Sequence, residues 1–169
     1  TRAQDAKAAY EAGAIYGGLI FVPSSPRVVG VEQAREVMAG APLQYVGVFR
    51  HHDIDDVCVK VKNLALTAVQ LHGNEDQTYI DTLRATLPEH VQIWKALSVG
   101  ESLPARSYQH VDKYIFDNGL GGSGQRFDWT LLGGQSLDNV LLAGGLGADN
   151  CVEAAKTGCA GLDFNSGVE

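Results

Sequence analysis

Apolar residues alternate along this chain between two patterns. Short, nearly continuous apolar or β-branched runs predict strands at Ile15–Val22, Tyr45–Phe49, Ala68–Leu71, Gln92–Ala96, Val111–Phe116, Asn139–Ala143 and Gly161–Asn165. Longer segments with spaced apolar positions predict helices at Ala3–Ala12, Val31–Ala39, Ile54–Ala65, Gln77–Leu87 and Ala148–Thr157. A weaker helical pattern lies near Leu103–Tyr108, and a short one at Trp129–Leu132. The punctuation agrees with this reading. Gly13 and Gly158 follow helix ends, where glycine takes a positive φ without penalty. Pro42 and Pro88 block continuation of the helices before them.

Strict alternation of apolar strands and amphipathic helices implies an α/β fold with a parallel sheet covered on both faces. No linker or low-complexity stretch interrupts it, so residues 1–169 read as one domain. Local pattern alone does not separate an open sheet from a barrel. Seven strands in 169 residues, with glycine-rich loops after the last two, favour a barrel, which typically holds phosphate there. A complete barrel has eight strands; here seven follow an orphan helix.

Composition narrows the function classes. A net charge of −7 argues against nucleic acid or an anionic membrane surface as the main partner. Apolar content of 45% and charged content of 20% are ordinary for a globular domain with a real core. Cys58, Cys151 and Cys159 are odd in number and read as reduced thiols in a cytoplasmic protein. No apolar run reaches membrane-spanning length, and the start lacks the form of a signal peptide.

Four stretches carry candidate chemistry. In "NVLLAGGLGADNCVEAAKTG" a strand ends at Gly144–Gly145 and a helix is expected near Ala148 with Asp149 as its cap. Such a turn lets backbone N–H groups approach an anion, or is simply tight. Asn165, Ser166 and Gly167 follow the next strand, giving a second donor-rich loop and a plausible phosphate cradle. Asp117 ends an apolar strand before the glycine-rich run 119–124. It reads equally as a partly desolvated general acid under a closing loop or as a turn former. Arg27 stands in a Pro- and Ser-rich loop, as a fork for carboxylate or phosphate or as a solvated charge. His72, at a strand end beside Gly73, is balanced between ligand contact and loop support. His51, His52 and Asp53 have no partners at metal-ligand spacing, so no metal is expected.

Taken in order, "SPR", "QLHGNE", "WKA", "DNG" and "GGSG" before "FDW", "LAGGL" with Ala148 and Asn150 after it, and "DFNSGVE" resemble phosphoribosylanthranilate isomerase along the whole chain. That family is a (β/α)8 TIM barrel of tryptophan biosynthesis. The likeness is greater to the isomerase domain of bifunctional bacterial enzymes that fuse it to indole-3-glycerol-phosphate synthase. The resemblance implies an Amadori rearrangement of N-(5-phosphoribosyl)anthranilate, a small phosphorylated substrate, with no cofactor. It implies Asp117 as general acid, Arg27 on the anthranilate carboxylate, His72 in the substrate site, and phosphate on the Gly144–Gly145 and Asn165–Ser166–Gly167 loops.

The family's general base is a cysteine in a Cys-Gly-Leu/Ile-Thr-Arg context, and Thr1–Arg2 match the last two residues of that motif. The expectation is therefore a barrel lacking strand 1 and the last helix, with impaired catalysis. Open barrel edges of this kind favour pairing with another chain, and a homo-oligomer is expected. A non-catalytic barrel fragment that keeps phosphate binding is the alternative.

Overall fold

A computed structural model describes residues 1–118 and 126–168. The expected loop 119–124 lies outside the described residues. The chain forms two compact units, Thr1–Ile93 and Trp94–Glu169.

The first unit alternates helix and strand: α1 (Ala3–Glu11), β1 (Tyr16–Ile20), α2 (Val31–Met38), β2 (Gln44–Phe49), α3 (Ile54–Leu64), β3 (Ala68–Leu71) and α4 (Gln77–Thr86). β1 pairs with β2 and β2 with β3, both in parallel. Parallel strands are joined by crossovers that cover the sheet, so both faces of a strand are buried. All four residues of β3 are buried accordingly. The helices turn one apolar face inward: Val57, Val61 and Leu64 of α3, and Ile80 and Leu83 of α4, are buried. The α4 start is fixed by the Asp76 carboxylate, which accepts from the Tyr79 N–H at 2.9 Å. Its end is held by Arg84, whose guanidinium donates to the carbonyls of Val91 (2.7 Å) and Leu87 (3.1 Å).

β4 (Gln92–Ser98) straddles the unit boundary, and the second unit continues with β5 (Lys113–Asp117), β6 (Val140–Leu142), α5 (Cys151–Ala155) and β7 (Gly161–Leu162). β4, β5, β6 and β7 pair in that order, all parallel. A 3-10 turn at Trp129–Leu132 precedes β6. Tyr114, Phe116, Phe127, Leu132, Val140, Leu142 and Leu146 form the core of this unit.

Three expectations change. Leu103–Tyr108 forms no helix. Pro104 supplies no N–H and fixes φ, and Leu103 and Tyr108 pack directly on the core without helical hydrogen bonds. The last helix begins at Cys151, not near Ala148, and has only five residues. The last strand stops at Leu162, so Asn165, Ser166 and Gly167 stand in a turn. Gly13 and Gly158 do take positive φ, 91° and 81°.

Ile80 is fully buried, whereas Asp76 acts only through its cap. Ile80→Ala is expected to cost about 2–5 kcal/mol, and Asp76→Ala about 0.5–2 kcal/mol, by urea denaturation followed by circular dichroism.

Candidate functional site

The second unit gathers most of the expected site at the carboxyl ends of its strands. Phe116 pairs with Leu142, and Leu142 with Leu162. The next residue on each strand therefore falls in one layer: Asp117, Ala143 and Asp163. Above it, Gly144 and Gly145 take φ of 86° and 67°, a left-handed pair that residues with side chains rarely adopt. This turns the backbone back over the strand end.

Gly147 then forms a parallel bridge with Gly167, joining the two expected phosphate loops. A Cβ at Gly167 would overlap the Leu146 carbonyl, so only glycine permits this approach. Asn165, Ser166 and Gly167 are exposed. The loop is latched by Asn150, which belongs to the family-like motif but is given no role by it. Its Oδ1 accepts from Gly147 N (3.0 Å) and its Nδ2 donates to Gly145 O (2.8 Å). Asp149 is not the helix cap; Asn150 occupies that position and spends its side chain on the loop. With α5 so short, any anion here would be held by loop backbone more than by a helix dipole.

Asp117 is half-buried, and its Oδ1 accepts from the Asn118 N–H at 2.7 Å, the local bond of a turn former. Asp163 is the second residue that the family-like motifs contain without giving it a role. "IFDN" and "GLDF" both place Asp directly after an apolar strand, and that repeated pattern is the signal that identifies it. Asp163 is exposed as a residue, while its carboxyl, in the layer with Asp117, is desolvated. That desolvation first, and the Asp117 carboxylate second, push its pKa up to about 6 from an ordinary 3.8.

In the first unit, Arg27 lies in the loop after β1, half-buried, with its N–H donating to Ser25 Oγ (3.2 Å). His72 directly follows β3, also half-buried. Its N–H donates to Phe49 O (2.8 Å), and its Nδ1 stands 3.3 Å from Gln70 Nε2. Gln70 is one of few buried polar side chains among the described residues. His52 and Asp53 line a separate open depression with Asp55, Asp56 and Tyr79 beside the start of α3. Among the described residues no group of three His, Cys, Asp or Glu side chains is arranged to hold a metal ion, and no helix is long and apolar enough to cross a membrane.

Cys58 lies on α3, Cys151 opens α5, and Cys159 precedes β7 at its amino end. None stands at the carboxyl end of a strand. Burial raises the pKa of both Cys58 and Cys159, against thiolate formation.

Residues 1–169 match the family described as PRAI, N-(5'phosphoribosyl)anthranilate (PRA) isomerase. The tryptophan biosynthesis protein TrpCF of Salmonella typhi is 77% identical over 169 residues, covering 100% of this chain and 37% of the relative. The chain thus spans a little over a third of the length of the curated relatives it matches. The crystal structure of phosphoribosyl anthranilate isomerase from Thermus thermophilus superposes with a TM-score of 0.85 at 30% identity, covering 100% of this chain and 85% of that one. A phosphoribosyl anthranilate isomerase crystallised with reduced 1-(o-carboxyphenylamino)-1-deoxyribulose 5-phosphate gives a TM-score of 0.81 at 28% identity, covering 100% of this chain and 84% of that one.

The raised Asp163 pKa has a definite sign for stability. Below about pH 4 the carboxyl is protonated in both folded and unfolded chains, and its folded environment costs nothing. As pH rises through about 6 the folded state must hold a charge it disfavours, and that contribution to stability is lost. Solvent access screens part of the penalty. Asp163→Asn should therefore raise the melting temperature relative to the parent at pH 7.5, with the difference shrinking toward pH 4.5. Calorimetry across that range checks the sign.

Proposed function

The chain belongs to the N-(5'-phosphoribosyl)anthranilate isomerase family, and from that membership we propose that it is the isomerase portion of a tryptophan-biosynthesis enzyme. Its reaction is the Amadori rearrangement of N-(5-phosphoribosyl)anthranilate to 1-(2-carboxyphenylamino)-1-deoxyribulose 5-phosphate. The supporting observation is the meeting, in one unit, of the bridged Gly147 and Gly167 loops with Asp117 in the layer beneath. In this reading the backbone N–H groups of the Gly144–Gly145 and Asn165–Gly167 loops hold the phosphate. Arg27 pairs with the anthranilate carboxylate through its planar fork, and His72 adds a further ligand contact.

Asp117 protonates the ribose ring oxygen, the bond from that oxygen to the anomeric carbon breaks, and a Schiff base forms. A base then removes the C2′ proton, and the resulting enolamine tautomerises to the ketose. The seven strands correspond, in this reading, to seven of the eight strands of a (β/α)8 barrel. None of the three cysteines stands at the carboxyl end of a strand. The likeness of the ligand-bound structure supports phosphate-ester binding.

Three measurements test this reading. Loss of phosphoribosylanthranilate fluorescence, followed with an enzyme that contains these residues, should be abolished by Asp117→Asn; turnover unchanged in that variant would reject the assignment of the general acid. Inorganic phosphate and the reduced product analogue should both raise the melting temperature. Gly167→Ala, which forces the two loops apart, should weaken phosphate binding about tenfold, the cost of losing one charge-assisted hydrogen bond.

A further inference from the structure

Glu75 is one of the few charged residues buried among those described, at 5% exposure, and the proposed reaction assigns it no role. It stands three residues past His72, between β3 and α4. Its two carboxylate oxygens divide their work. Oε1 accepts from the His51 N–H (2.9 Å) in the loop after β2, and Oε2 accepts from the Gly73 N–H (2.9 Å) in the loop after β3. One side chain thus fastens the carboxyl ends of two neighbouring strands to each other.

The fastening is close-packed and involves unusual backbone. His51 takes a φ of 54°, a conformation that non-glycine residues seldom adopt without support. A Cβ on Gly73 would stand 2.7 Å from both Glu75 Oε1 and the His51 ring, so any larger residue at 73 would displace the clamp itself. A buried carboxylate that accepts two backbone N–H bonds is well satisfied, whereas removing it takes an acceptor from both N–H groups. The same loop carries His72, whose ring meets Gln70 from below and whose N–H is bonded to Phe49 O. The ring is therefore met by Gln70, while the backbone directly after it is held by the Gly73–Glu75 bond.

We propose that Glu75 is a positioning residue for ligand recognition: by clamping the His51 and Gly73 N–H groups it fixes where His72 meets the carboxylated sugar phosphate. This rests on the assignment of His72 to the ligand site in the proposed function. It predicts that the worth of Glu75 to binding passes through His72 and not through general stability.

A double-mutant cycle on the 169-residue chain separates these outcomes, read as dissociation constants for the reduced product analogue and for inorganic phosphate. Glu75→Ala should weaken analogue binding about tenfold, as for a mispositioned polar contact, and leave phosphate binding within about twofold, which is near the reproducibility of such cycles. His72→Ala should weaken the analogue comparably. The double variant should be no weaker than His72→Ala alone. Glu75→Gln keeps the volume and one acceptor; it should fall between parent and Glu75→Ala, and it carries the same cycle if Glu75→Ala does not fold. Additive losses, equal loss of phosphate binding, or an unchanged analogue affinity in Glu75→Ala would each overturn the proposal. If His72→Ala binds the analogue like the parent, the His72 assignment fails and this inference with it, while the phosphate loops remain testable by inorganic phosphate alone.

Discussion

Because each described strand pair runs parallel, the chain cannot reverse by a tight hairpin, and every return must cross a sheet face. Most of the architecture within each unit depends on that requirement. The crossovers bury β3 and β6 on both sides, which explains their uninterrupted apolar sequences. It also sorts the loops within each unit into two kinds. Those entering the strands serve packing; those leaving them are free to carry polar groups, and Arg27, His72, Gly144 and Asn165 are all on leaving loops, while Asp117 closes β5 just before one.

Elements with enough residues to show a period are legible in the sequence. The pattern places β3 at its observed bounds, and α3 and α4 to within one residue, since several buried positions repeat along each. The failures are short or local. Leu103–Tyr108 has apolar residues at helical spacing, yet Pro104 vetoes the hydrogen bonds that the spacing suggests. The pattern starts the last helix three residues too early because Asp149 and Asn150 are both good caps by type. Tertiary bonding decides between them, since the Asn150 side chain is engaged with Gly145 and Gly147.

Residues with an unusual local signature are easy to find: paired glycines after a strand, or an aspartate at the end of an apolar run. Asp163 has that second signature but is followed by Phe164, which continues the apolar pattern and extends the expected strand past its true end. Glu75 sits in a conspicuous motif yet shows no role there, because its significance is topological. Its two partners are 24 and two residues away, and sequence spacing gives no indication that the first is near. Residues that hold a site in shape are harder to read from sequence than residues that face a ligand, since their meaning depends on which strands become neighbours.

The bridge between Gly147 and Gly167 has an evolutionary consequence. Two loops that touch backbone to backbone leave no side chain at the contact to absorb a change in either one. An insertion in the Gly144–Asn150 loop would need a matching adjustment around Gly167, and the Asn150 latch would need to be rebuilt as well. The pair should drift as one inherited block, with substitutions accumulating on the exposed helix faces while the lengths of both loops stay constant. For anyone grafting this loop pair onto another scaffold, the transferable part is the two loops together with Asn150.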